Sequence, residues 1–211
     1  MNEAAHTEKY YSHLRHDVYR VIPPDAKRVL SVGCASGRTE AKLVEQGIRV
    51  IGIELNPQAA GLARNRGIDV IGGDASNGYV DRGSERFDCI IYADVLEHLK
   101  EPVAVLSRHV RSLRSGGTVY ITVPNFRHYS VFWELFVRGY ITYREAGILD
   151  TTHIRITTKK MVLQWLENAR LKLLNTRYFI HGRRNRLVSR CMFGLAREFL
   201  ANQIAITASK T

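Results

Sequence analysis

The sequence predicts an α/β fold: a seven-stranded, mostly parallel sheet with helices on both faces and an antiparallel last strand. Three observations predict it. Short, β-rich apolar runs alternate with helical stretches from residue 28 onward, the pattern of strands joined by crossover helices. The first strand runs straight into a bend of small residues that opens a helix. The chain has 211 residues, 45% of them hydrophobic and 24% charged, which suits one full-sized core. We therefore expect one domain over 1–211, with a leading helix at 7–21 and an inserted, lid-like segment at 126–157.

The elements follow in order. The leading helix stops at Pro23-Pro24. Arg28–Val32 is a buried-type strand, and Thr39–Gln46 is a helix with Gly47 at its C′ position. Val50–Glu54 is the second strand. Asn56-Pro57 then supplies an N-cap and a first-turn proline for a helix running to Arg66 and ending at Gly67. Asp69–Gly72 is a short third strand. Phe87–Ala93, almost wholly apolar, is a fourth and central one. Glu101-Pro102 starts a helix that Gly116-Gly117 is expected to end, and Thr118–Val123 is the fifth strand. Residues 126–150 are aromatic and irregular. A helix at Thr158–Ala169, a sixth strand at Leu171–Ile180, a basic segment at Arg183–Arg197 and a seventh strand at Leu200–Ala208 complete the chain.

Composition narrows the functional classes. No apolar run approaches the roughly 20 residues of a membrane span, and Met1–Arg20 is too polar for a signal peptide. Three scattered cysteines, Cys34, Cys89 and Cys191, argue against a disulfide framework or a zinc cluster, so a reducing cytoplasm is the expected compartment. The net charge of +11 favours anionic partners. The arginines of 183–197 alternate with Leu187, Cys191, Met192, Leu195 and Phe199 at helical spacing. That pattern predicts a helix packed on its own sheet or on a second copy, with peripheral membrane contact as the alternative.

The strongest local signal is Val29–Gly37. Its small residues let the backbone approach a ligand, and the following helix offers its N-terminus. A dinucleotide site would carry G-x-G-x-x-G, but the third glycine position here is Arg38. The spacing Gly33-x-Ala35-x-Gly37 suits an adenosyl ligand without a pyrophosphate. Glu54, ending the second strand, is placed to accept two ribose hydroxyls. Asp74, ending the third, is placed to meet an adenine amino group. All three features fall at the edge where open α/β sheets bind ligands.

With these pieces go Gly52-Ile53-Glu54, Gly73-Asp74-Ala75, Phe87-Asp88, Ala93–Leu99, Val123-Pro124-Asn125 and Gly147–Arg155. From about Tyr10 to Tyr178 the chain resembles the class I S-adenosylmethionine (SAM)-dependent methyltransferases. It is most similar to the bacterial type 11 and type 23 group, often tied to polysaccharide and glycosyl-transfer functions. The resemblance implies a Rossmann-like domain that takes SAM as cofactor. Gly33, Cys34, Ala35, Gly37, Glu54, Leu55, Asp74, Ala75, Asp94 and Arg15 would then line the cofactor. Asp94 would lie by its methionine part, and Arg15 would pair with its carboxylate. Three departures stand out, one being Ile156-Thr157, where the family usually reads two aromatics after the His-x-Arg. The family usually has an acid where this chain has Ser31, and a glycine where it has Ala35, which a negative φ would make tolerable.

Methyl transfer from a sulfonium requires alignment of the acceptor, and an oxygen acceptor also needs a base. His153 and His98 are the candidate catalytic groups, and Arg155 the candidate for an acceptor carboxylate or phosphate. The expected acceptor is a small molecule or a glycan, lipid-linked if the basic helix meets a membrane. Two rivals are a nucleic-acid methyltransferase and a SAM-binding protein without catalysis. No stable nucleic-acid partner is expected, because neither a binding appendage nor an Asn-Pro-Pro-aromatic motif is present. Asp94, Glu97 and His98 resemble a metal-ligand triple of some quinone and small-RNA O-methyltransferases, but sequence supplies no fourth ligand, so no metal is expected.

Overall fold

The computed structural model describes residues 14–77, 86–191 and 196–211. Seven strands form one sheet in the order β3-β2-β1-β4-β5-β7-β6. They are β1 Arg28–Val32, β2 Arg49–Glu54, β3 Asp69–Gly72, β4 Phe87–Ala93, β5 Leu113–Pro124, β6 Leu171–Phe179 and β7 Gln203–Lys210. The first five run parallel, while β7 is antiparallel to both of its neighbours. Among the described residues the helices, leaving out single-turn pieces of other pitch, are α1 His16–Tyr19, α2 Arg38–Val44, α3 Pro57–Arg64, α4 Pro102–Val110, α5 Tyr129–Phe132, α6 Lys159–Asn168, α7 Arg183–Cys191 and α8 Arg197–Leu200.

Strand alternation builds two cores from continuous apolar runs. Leu30, Val32, Ile90 and Tyr92 face α4 and α6, where Leu106, Val162 and Trp165 meet them. Val29, Cys89 and Ile91 face the opposite way, toward Val18, Leu43, Ala60 and Ala63 on α1, α2 and α3. A strand buried on both faces has no polar register to keep, so its sequence reads as unbroken hydrophobicity.

Several elements depart from the sequence expectation. Of the leading helix expected at 7–21, residues 7–13 lie outside the described residues, and the rest is helical only over His16–Tyr19. The helix expected to reach Gly116-Gly117 stops at Val110, and both glycines lie inside β5. There the register moves from Phe87↔Leu113 to Cys89↔Thr118, so β5 carries the extra residues as an irregularity. Glycine within a strand marks a bulge as readily as a stop. The last strand begins at Gln203, because residues 197–200 form the short α8. Within the basic segment, residues 192–195 lie outside the described residues.

The insertion after β5 is ordered. α5 continues into a π-helical turn at Trp133–Val137. Glu134, buried beneath it, accepts from Thr142 N (2.8 Å) and pairs with Arg144 (2.6 Å), bracing the far side of the excursion. Asp150 caps the return, accepting from the backbone and hydroxyl of Thr152 at 2.8 and 2.6 Å. Ile154 N and Arg155 N then both donate to the Glu97 carbonyl at 3.1 Å, which docks the segment onto the loop after β4. Among the described residues, no helix is long and apolar enough to cross a membrane.

Candidate active site

The small-residue bend after β1 is fixed by conformation and by crowding. Gly33 and Gly37 both adopt left-handed backbone, at φ +69° and +73°. A Cβ on Gly33 would come within 2.6 Å of Val95 Cγ2, and one on Gly37 within 2.4 Å of Ile68 Cδ1. Ala35, which a negative φ would have made tolerable, sits at +50°. A non-glycine residue there carries strain, and surrounding contacts must impose it. One such contact is Glu54, whose Oε2 accepts from Ala35 N at 2.8 Å. Its other oxygen accepts from Asn56 N at 2.8 Å. Glu54 therefore joins the bend after β1 to the start of α3, whose N-cap is Asn56 as the sequence implies.

Gly33 lies between two clefts. One, of about 560 Å³, is lined by Glu54, Leu55, Asp74, Ala75 and His98 among others. The other, of about 750 Å³, is lined by Arg15, Cys34, Ala35, Glu40 and Asp94 among others. The expected cofactor residues thus divide into two groups on either side of one glycine, except Gly37, which lines neither cleft and packs against α3. Asp74 forms a local turn, accepting from Ser76 N at 2.7 Å.

The arrangement fits SAM. A carboxylate offers about four lone pairs. Glu54 commits one on each oxygen to backbone donors and keeps one on each uncommitted. Arg15 is more heavily committed. Its Nε and Nη2 hold Asp17 at 2.9 Å each, Nη1 holds Asp94 at 2.5 Å, and Nη2 also donates to Thr122 at 3.1 Å. Of five guanidinium hydrogens, one on Nη1 remains for a ligand carboxylate. Asp94 itself adopts φ +58° and accepts from Thr122 Oγ1 at 3.0 Å and Gln203 Nε2 at 2.5 Å, so it acts here as a buttress of the loop.

Sequence reasoning missed Glu40. Ser31, the position where the resemblance implies an acid, donates to Glu40 Oε1 at 2.7 Å, and Glu40 lines the cleft that holds Arg15 and Asp94. A Glu on the inner side of α2 is the signal that would have found it. Burial raises the Glu40 pKa, despite the hydrogen bond from Ser31, so its neutral form is favoured. This group's stabilisation is fully present below the ordinary carboxylate pKa and is lost as pH rises through the raised folded value. Glu40→Gln should therefore flatten the decline of stability with rising pH, as read from urea midpoints across a pH series. Equal slopes in both proteins would show that Glu40 does not titrate as its burial demands.

Two further cavities adjoin. One of about 280 Å³ shares Asp94 and Gln203 with the Arg15 cleft, and is also lined by Glu97, His98, Asp150 and His153. The second, of about 780 Å³, shares Asp150 and His153 with it and is walled by Phe126, Phe132, Phe136, Tyr143, Ile156 and others. His98 and His153 meet edge to face with centroids 4.9 Å apart. His98 Nδ1 lies 3.1 Å from the Thr152 carbonyl and His153 Nδ1 3.0 Å from the Ile148 carbonyl. A carbonyl only accepts, so each Nδ1 carries the hydrogen and each Nε2 keeps its lone pair. Desolvation, opposed by the Thr152 contact and aided by His153, lowers the His98 pKa. Arg155 lines the apolar cavity but donates to the Lys100 carbonyl and stands 3.8 Å from Glu101.

The family described as methionine biosynthesis protein MetW matches residues 15–202. The chain belongs to the MetW family. Among curated relatives of this MetW-family chain, the ubiquinone biosynthesis O-methyltransferase of Xanthomonas oryzae pv. oryzae (strain PXO99A) is 29% identical over 154 residues, 69% of this chain and 63% of that one. The enzyme of the same description from Xylella fastidiosa is 30% identical over 109 residues, 49% of this chain and 44% of its own length. The chain thus spans about half the length of the curated relatives it matches. The crystal structure of a SAM-dependent methyltransferase from Archaeoglobus fulgidus superposes with a TM-score of 0.72 at 18% identity, covering 99% of this chain and all of that one. The MetW-family chain therefore has the class I SAM-dependent methyltransferase fold expected from its sequence.

Proposed function

We propose that this MetW-family chain is a SAM-dependent O-methyltransferase acting on a small acceptor with an apolar body. The observation that carries the reading is the adjacency of the cavities: Gly33 lines both cofactor clefts, Asp94 lines the Arg15 cleft and the histidine cavity, and His153 lines that cavity and the aromatic cleft. Bound SAM supplies a methyl group already activated on a sulfonium. The chain's own residues then have three tasks. Glu54 holds the ribose, while Glu40 and Arg15 meet the amino and carboxylate ends. His98 and His153, each with an unshared Nε2 pair, stand where an acceptor hydroxyl must lose its proton. The aromatic walls exclude water and align the acceptor.

Phe126, Phe132, Phe136 and Ile156 form an apolar wall opposite polar groups that include Asp150, His153 and Arg155, which supports an acceptor with both an apolar body and a polar head. An aromatic or prenylated phenol fits this lining, and the relatives described as ubiquinone biosynthesis O-methyltransferases agree with it. The insertion bearing these aromatics serves as the acceptor lid.

The test is calorimetric titration of the chain with SAM, followed by methyl-transfer assays on catechols with and without an apolar side chain. Saturable binding of one SAM, and faster transfer to the apolar catechol, is the expected result. No SAM binding at millimolar concentration overturns the cofactor reading; transfer indifferent to the side chain overturns the acceptor reading.

A further inference from the structure

Glu97 has no part in the scheme above, yet it is the most deeply buried acid near the site. Its side chain is fully buried, and neither carboxylate oxygen has a hydrogen-bond partner among the described residues. A polar group so placed calls for an explanation, since buried carboxylates are nearly always bonded. Oε1 lies 3.9 Å from His153 Nε2. One ligand atom each from Glu97, His98 and His153 fall within 4.8 Å of one another.

We propose that Glu97, His98 and His153 form a binding site for one borderline divalent cation, of the Zn²⁺ or Co²⁺ class. The donor set is one carboxylate and two neutral imidazoles, which such ions favour. The imidazoles are already oriented. Each donates its Nδ1 hydrogen to a backbone carbonyl, Thr152 for His98 and Ile148 for His153. That is the outer-shell arrangement that fixes a ligating histidine and turns its Nε2 pair inward. Asp150 lines the same cavity, as does Asp94, whose charge is already paired with Arg15. Bonds of about 2.1 Å place ligand atoms roughly 3.4 Å apart, so the three donors need to close by less than about 1 Å each. Three protein ligands leave an open position facing the cavity.

Sequence expected no metal because it showed ligands only around 94–98. The third donor arrives from the return of the insertion, where Ile154 N and Arg155 N clamp the Glu97 carbonyl and bring His153 over its side chain. The inference rests on the methyl-transfer reading only for the acceptor's place. An acceptor hydroxyl at the open position would lose its proton more readily, and the histidines would then act by holding the ion.

The full chain, stripped with a chelator, should be titrated with Co²⁺ and followed by calorimetry and by visible d–d absorption. One Co²⁺ per chain is expected, with absorption typical of nitrogen and oxygen ligands. Glu97→Gln and His153→Ala should each weaken binding at least about tenfold, the least that losing even an orienting partner costs. Circular dichroism checks that both variants remain folded; should one not, His98→Gln replaces it. Absent stoichiometric binding, or binding unchanged in the folded variants, overturns the site. A parallel SAM titration keeps the two readings apart, since it does not depend on Co²⁺: loss of the metal site leaves cofactor binding intact, and loss of SAM binding leaves the metal site standing.

Discussion

Replacing Glu54 with alanine is expected to weaken SAM binding by at least about a hundredfold. The carboxylate is 6% exposed and serves two sets of partners. Toward the protein it accepts from Ala35 N and Asn56 N. Toward the ligand it keeps one lone pair on each oxygen. Hydrogen bonds to a charged group contribute about 1.5–3 kcal/mol each, so two lost to the ribose amount to roughly two to four powers of ten in affinity. The substitution also strips two backbone N–H groups of their acceptor and frees Ala35 from the contact that helps hold φ at +50°. A fall in thermal stability should therefore accompany the loss of affinity. Calorimetry decides the matter: an affinity within threefold of the parent would remove Glu54 from the cofactor site. Glu54→Gln should fall between, because it retains one accepting oxygen but turns an amide hydrogen toward a backbone donor.

His153→Ala is expected to lower kcat by about 10²–10⁴, the range for loss of a proton-transfer group, while leaving SAM affinity nearly unchanged. The separation follows from placement. His153 lines the cavity next to Asp94 and the aromatic cleft but neither of the two clefts around Gly33. His98, by contrast, lines one cofactor cleft as well as the histidine cavity, so His98→Ala should disturb both constants. Desolvation holds the His98 pKa below its ordinary 6.5, so the acid limb of the parent pH–rate profile should lie below that value and activity should rise with pH through it. Full turnover in His153→Ala with a saturating acceptor would exclude this histidine from the reaction.

Much of this site was legible in the sequence because its signals are local. Asn56 and Pro57 declare the start of a helix by their own chemistry, and the structure has that cap. Gly33 and Gly37 announce a bend because only glycine is comfortable at positive φ. Glu54 and Asp74 could be counted from strand ends. What escaped was long-range. Nothing near Ser31 says that an acid from α2 will meet it, because Glu40 faces it only after the helix packs. Nothing near Glu97 says that His153 will cover it. Gly116-Gly117 misled for a different reason: their local chemistry permits a stop or a bulge, and pairing with β4 chose the bulge. Likewise nothing near Ala35 says that it takes a positive φ, because the Glu54 contact that helps hold it there comes from another strand.

The position of β7 has a consequence for assembly. It lies between β5 and β6, and among the described residues β6 pairs with no other strand. β6 precedes β7 in the chain, so it has no strand to pair with until β7 follows. The five parallel strands can pair in the order in which they are made, whereas β6 joins the sheet only through β7. Gln203, which steadies Asp94, arrives with that same strand. The loop that bears Asp94 therefore takes its final form only once β7 is in place, which couples its shape to closure of the sheet.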